Sequence, residues 1–126
     1  MTKLMAIDYG SKRVGVASTD ESGIFPIPRM VLENNDELIE KVIRFKEDHN
    51  IETIVIGESK DFSGNFNPIQ QSIDEFKREL ERLGFNVISH PEILTTREAR
   101  QLQGTTAMTD ASAAALILKN YIDSNV

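Results

Sequence analysis

Residues 6–17 read A-I-D-Y-G-S-K-R-V-G-V-A. Two strand-like runs, residues 4–9 and 13–19, meet across Gly10-Ser11-Lys12-Arg13, a segment short enough for a hairpin-type connection. One residue sits badly in this pattern. Asp8 follows Met5-Ala6-Ile7, and an unpaired charge buried at such a place costs several kcal/mol. It therefore requires a cation, a cage of hydrogen-bond donors or an exposed strand end.

Outward from this pair, residues 24–32 (I-F-P-I-P-R-M-V-L) predict a third strand. Pro26 and Pro28 cannot donate ladder hydrogen bonds, so this strand belongs at an edge or starts irregularly. From about Asp36 to Asp48, Leu38, Ile39, Val42, Ile43 and Phe45 recur at helical spacing. Ile51 to Gly57 is a β-branched run of buried-strand type, and residues 58–66 have loop composition.

Asn67-Pro68 then offers an N-cap and a first-turn proline, with Gln70 placed as in a capping box. Ile69, Ile73, Phe76, Leu80 and Leu83 form one stripe, and Gly84 is a natural stop, so a helix is expected over 68–83. Phe85 to Ser89 is the next strand. Thr95 and Glu98 match a second capping box, before a short helix near 96–103, and an alanine-rich helix is expected over 109–123.

The order β-β-β-α-β-α-β-α-α predicts an α/β fold: a mixed five-stranded sheet, three antiparallel strands then two parallel ones, with helices on both faces. Ligands in such sheets collect at the carboxyl ends of the central strands, where Asp8 falls.

A chain of 126 residues, 40% hydrophobic and 27% charged, is the size and composition of one globular domain, residues 1–126, rather than of a disordered or fibrous chain. The absence of cysteine excludes disulfides and thiolate metal sites. No apolar stretch approaches the roughly 20 residues of a membrane span, and the first residues run into a strand-like pattern with no leader features. A cytoplasmic setting without a membrane partner is expected. The net charge of −6 argues against a polyanionic partner unless carboxylates gathered around a divalent cation reverse the local field.

Mg²⁺ takes hard oxygen ligands, commonly one or two carboxylates with water and substrate phosphate. Asp8 has two readings: hydrogen bonding to the Gly10–Lys12 turn, or metal ligation. Three further acids stand where an element begins or ends. Asp110 opens the last helix, where the dipole alone favours an acid. The alanines at 111 and 113–115 would let that helix approach the sheet and bring its first turn towards Asp8. Glu92 has no evident structural task, whereas Glu58 also reads as a solvated loop residue and Glu98 is accounted for by its capping box. His90 is a general base or a structural residue. Lys12 and Arg13 are either phosphate-facing cations or solvated turn charges.

D-Y-G-S-K-R-V-G-V-A at 8–17, L-T-T-R-E-A-R at 94–100 behind His90 and Glu92, and D-A-S-A-A-A-L-I-L at 110–118 resemble, in order and spacing, the three motifs of the YqgF/RuvX family. The resemblance spans nearly the whole chain. It implies a ribonuclease H-like, RuvC-type fold and a hydrolase, a Mg²⁺- or Mn²⁺-dependent nuclease using two ions. Its substrate would be structured RNA, at the 5′ end of pre-16S rRNA, with branched DNA such as a Holliday junction as the alternative.

Motif matching gives Asp8, Glu92 and Asp110 the catalytic and metal-binding roles. Lys12, Arg13, Arg97 and Arg100 become the expected nucleic-acid contacts. Two departures stand out. Pro91-Glu92-Ile93 replaces the family's Asp-Glu-Arg, removing an acid and an arginine. Gly57-Glu58-Ser59-Lys60 replaces Gly-Leu-Pro-Leu and adds an acid where RuvC-type resolvases carry a glutamate, which makes Glu58 a candidate fourth metal ligand.

Two competing readings follow. A nucleic-acid-binding module that has lost its chemistry fits the acidic charge and the missing arginine. The D-x-G-S opening also resembles the phosphate loop of actin-like and sugar-kinase ATPases, but those close two such domains around ATP and this chain supplies one.

Overall fold

The computed structural model describes residues 3–58, 68–91 and 109–124. The opening pair forms as its pattern predicts. β1 (Leu4–Tyr9) and β2 (Arg13–Thr19) run antiparallel from Met5 opposite Ser18 to Tyr9 opposite Val14. The turn between them depends on Gly10: a Cβ there would stand 2.6 Å from the Arg13 carbonyl oxygen, closer than side chains tolerate.

β3 (Pro26–Glu33) pairs with β2 as an edge strand, with a register shift between Val16 and Ala17. Its two prolines therefore meet the edge position and the irregularity that they require. Asp20 braces the preceding turn, its Oδ1 accepting from Ser22 Oγ at 2.6 Å and from the Ile24 and Phe25 backbone N–H groups at 3.3 Å each.

Helix α1 (Leu38–Asp48) starts two residues later than the sequence pattern suggested. It closes with Asn50 at φ 54°, and Ile51 N–H returns to the Lys46 carbonyl at 2.9 Å. That bond occupies Ile51, so β4 begins at Thr53 rather than at Ile51 and runs to Glu58. Glu58, expected to open a loop, is instead the last strand residue, in register with Pro91.

α2 (Pro68–Arg82) ends at Gly84, φ 92°, where Phe85 N–H reaches the Leu80 carbonyl at 3.2 Å in the same kind of cap. β5 (Asn86–Pro91) extends two residues beyond the expected strand, and α3 (Thr109–Ser124) is the alanine-rich helix. Asn67, the second capping box and the helix expected near 96–103 lie outside the described residues. Gln70 Nε2 donates to Asp74 Oδ1 at 2.9 Å.

The five strands lie in the order β3-β2-β1-β4-β5, with β4 parallel to both β1 and β5. Helices cover both faces, and strand alternation sorts the core into two. Met5, Ile7, Val14, Val16, Ile54, Ile56 and Val87 face α1 and α2, which contribute Leu38, Val42, Phe45, Ile73, Phe76 and Leu80. Leu4, Ala6, Ala17 and Val55 face α3, which contributes Ala114, Ile117 and Leu118. Among the described residues no helix is long and apolar enough to cross a membrane.

Candidate functional site

Asp8 is the penultimate residue of β1 and only 6% exposed. Because it alternates with Leu4 and Ala6, it lies on the α3 face. Its antiparallel neighbour is Gly15. On the other side Ile7 pairs with Ile56 and Gly57 pairs with His90, so Asp8 stands level with Gly57 and then His90.

Gly15, Asp8, Gly57 and His90 thus form a row across the carboxyl end of the parallel strands. On both adjoining strands the residue level with Asp8 is a glycine. The carboxylate is the only acid in this row and is held on a backbone paired on both sides. Among the described residues no buried side-chain nitrogen or oxygen lacks a hydrogen-bond partner.

α3 lies over the same face. It packs most extensively on β2 and also on β3 and β1, with its lightest contact on β5. Near its other end the Tyr121 ring meets His90 of β5, with centroids 6.0 Å apart and planes at 88°. The helix therefore reaches from the β1–β3 side of the sheet towards β5, and Asp110 stands in its first turn, at the end opposite Tyr121. Ala111, Ala113 and Ala114 are fully buried, as a close helix–sheet approach requires.

The other candidates divide. Arg13 alternates with Gly15 and Ala17 and so shares the face of Asp8, exposed at the same end of the sheet; Lys12 is exposed in the adjoining turn. Glu58 alternates with Ile54 and Ile56, which belong to the opposite core, so its strand position puts it on the α1–α2 face, away from Asp8. Glu92, Arg97 and Arg100 lie outside the described residues.

On the face away from Asp8 a groove of about 300 Å³ opens between α1 and α2, floored by Tyr9, Leu38 and Phe76 and edged by Asp36 and Glu75. The Tyr9 and Phe76 rings pack 5.1 Å apart in its floor. Nothing in the motifs had singled out either this groove or Tyr121. Both depend on which residues strand pairing brings to one level, and that is not written in local sequence.

Among the described residues no three His, Cys, Asp or Glu side chains gather as a metal site. The chemistry of the predicted set nonetheless suits Mg²⁺ or Mn²⁺. Its members are hard carboxylate donors, and Asp8 is nearly withdrawn from water at a strand end between Gly15 and Gly57.

Comparison with known proteins agrees with this arrangement. The family model described as RuvX, Holliday junction resolvase, matches residues 2–124. Among relatives bearing the name "Putative pre-16S rRNA nuclease", that of Desulforudis audaxviator is 32% identical, covering 97% of this chain and 94% of its own. That of Ruminiclostridium cellulolyticum is 30% identical, covering 96% and 94%.

The fold is that of T. thermophilus RuvC, solved in complex with a Holliday junction substrate. That structure has a TM-score of 0.64 at 12% identity and covers 99% of this chain and 96% of its own. The fowlpox virus resolvase, also solved with Holliday junction DNA, has a TM-score of 0.60 at 12% identity with 99% of each chain covered. With a family model matched along nearly its whole length and relatives of 30% identity or more, this chain belongs to the RuvX family.

Proposed function

We propose that this protein is a metal-dependent endonuclease that hydrolyses phosphodiester bonds in structured RNA, processing the 5′ end of pre-16S rRNA in the cytoplasm as a single domain. The observation that carries this reading is the position of Asp8. It is a buried carboxylate at the carboxyl end of a central strand, bordered by Gly15 and Gly57, on the face that α3 covers. The names of the relatives supply the substrate.

In this reading Asp8, Glu92 and Asp110 hold Mg²⁺ or Mn²⁺, in two sites. When bound, such ions supply Lewis-acid stabilisation for an in-line displacement at phosphorus. The protein's own contribution is placement. β1 holds the Asp8 carboxylate rigidly, since its backbone is paired on both sides. Glycines at 15 and 57 add no side-chain bulk at the level of the carboxylate.

Arg13 and Lys12, exposed at the same end, meet the incoming phosphates and locally oppose the chain's negative charge. Arg97 and Arg100 extend that contact in the motif that follows Glu92. Glu58 is the weakest of the four proposed metal ligands, because its strand position faces the other core.

A second reading, cleavage of branched DNA, is favoured by the description of the family model. The replacement of an acid and an arginine by Pro91 and Ile93 favours a third, a nucleic-acid-binding module without chemistry.

The deciding experiment presents precursor 16S rRNA, single-stranded RNA and a four-way DNA junction to the purified protein with Mg²⁺ or Mn²⁺. Asp8→Asn is assayed in parallel. Cleavage of the precursor by wild type, reduced in Asp8→Asn by more than the ~10–100-fold that follows loss of a ligand's outer support, is the expected result. Selective cleavage of the junction would move the substrate to branched DNA. Equal activity in both proteins, or none with either metal, would sink the enzymatic reading.

A further inference from the structure

Asn34 stands just past the end of β3, whose last pair with β2 sets Glu33 opposite Arg13. From there it reaches the β1–β2 turn twice. Its backbone N–H donates to the Lys12 carbonyl at 2.9 Å, and its Nδ2 donates to the Gly10 carbonyl at 2.8 Å. Both acceptors lie beyond the β1–β2 ladder, which ends with Tyr9 opposite Val14. The two bonds therefore fix the turn on either side of Ser11.

A half-buried asparagine with these bonds is at least a turn brace. What the turn carries gives the brace a consequence. Ser11, Lys12 and Arg13 are exposed, and Arg13 shares the face of Asp8 at the same end of the sheet. Asp8 itself needs no such help, because β1 is paired with β2 on one side and β4 on the other. The path of the chain from Gly10 to Lys12 has no ladder of its own and depends on Asn34.

We infer that Asn34 is a positioning residue for nucleic-acid contact: by holding the Gly10 and Lys12 carbonyls it presents the Lys12 and Arg13 side chains to backbone phosphates at a fixed place relative to Asp8. The inference rests on the proposed role of Lys12 and Arg13 as phosphate contacts. Asn34 acts through the turn, by lowering the cost of ordering those two side chains when nucleic acid binds.

The test measures the affinity of the full chain for labelled precursor 16S rRNA and a labelled four-way DNA junction by fluorescence anisotropy, with Ca²⁺ as the divalent ion, over a range of salt. The proteins are wild type, Asn34→Ala, Asn34→Ser, Lys12→Ala/Arg13→Ala and that double variant with Asn34→Ala added, each checked for its fold by circular dichroism. Asn34→Ala should weaken binding of whichever nucleic acid wild type holds by about 3–10-fold. The loss should shrink as salt rises, as phosphate contacts do. Asn34→Ser, whose hydroxyl ends one atom short of Nδ2, should match it. Lys12→Ala/Arg13→Ala should bind more weakly still, and adding Asn34→Ala to it should leave affinity unchanged within about twofold.

A folded Asn34→Ala with wild-type affinity, while Lys12→Ala/Arg13→Ala binds weakly, would overturn the positioning role alone. So would a loss repeated in full without Lys12 and Arg13, because a merely structural asparagine weakens every background alike. If Asn34→Ala does not fold, Asn34→Ser decides in its place. Wild-type affinity in Lys12→Ala/Arg13→Ala, or wild type that binds neither nucleic acid, would overturn the phosphate-contact reading and the role of Asn34 with it.

Discussion

The two faces of the sheet are built on different scales. Towards α1 and α2 the strands present Met5, Ile7, Val14, Val16, Ile54 and Ile56, all fully buried against two helices. Towards α3 they present Leu4, Ala6, Gly15, Ala17, Val55 and Gly57, mostly small, against a helix that opens with Ala111, Ala113 and Ala114. Apolar area drives folding at about 25 cal/mol per Å², so the first face supplies most of the stability. The second sacrifices area for a close approach between one helix and the sheet, and it carries Asp8 and His90. Stability and the candidate site are therefore separable by face.

The largest expected effect on stability comes from the thick face. Ile56→Ala should destabilise by about 2–5 kcal/mol, from lost burial plus the cavity left behind, measured by urea denaturation. The fraction that remains folded should bind Mn²⁺ as wild type does, because Ile56 faces away from Asp8. Weakened metal binding in that folded fraction would break the separation.

Ala114→Leu makes the opposite intervention. Ala114 shares its cluster with Ala6 and Ala17 of the sheet, and a leucine there would lift α3 at a cost of about 1–3 kcal/mol. Here cleavage and Mn²⁺ affinity should fall further than stability does, since the first turn of the helix moves with it. A variant that lost stability in proportion to activity would show that the small residues serve packing alone.

Glu58→Gln divides the faces more finely. It stands at the end of a parallel strand, one residue beyond the position level with Asp8, and that single step reverses its face. Mn²⁺ affinity within about twofold of wild type is expected, against loss in Asp8→Asn. A tenfold or greater loss, as for a residue that supports a metal, would place Glu58 in the site despite its strand position.

The same one-residue step explains what the sequence could and could not disclose. Strands and helices were legible because their signals are local: Pro26 and Pro28 for an edge, the stripe from Ile69 to Leu80 for α2, Gly84 for its end. The first motif also pointed correctly to a strand-end carboxylate. In β4, by contrast, Ile54, Val55 and Ile56 are all buried, so these three carry no polar alternation to mark which side faces which helix. Only pairing with β1 assigns Val55 to α3 and Ile56 to α1 and α2. The face of Glu58 and the meeting of His90 with Tyr121 follow from that long-range register.

The smallest expected effect lies at the far end of the hairpin, where Asp20 braces the turn into β3. Its carboxyl is held below the usual range, chiefly by the Ser22 hydroxyl, with the Phe25 and Ile24 N–H groups assisting against some desolvation. A depressed pKa means that this stabilisation is fully present above the unfolded value near 3.8 and disappears as pH falls through the lower folded value. Asp20→Asn should therefore melt slightly below wild type at pH 7, with the gap closing towards pH 2. Its Mn²⁺ affinity at pH 7 should match wild type, because this turn lies at the opposite end of β2 from Gly15 and Arg13. A gap in melting temperature that persisted unchanged at pH 2 would mean that the carboxylate's charge has no part in the turn. Altered metal affinity would mean that the hairpin transmits strain along β2 to the strand end beside Asp8.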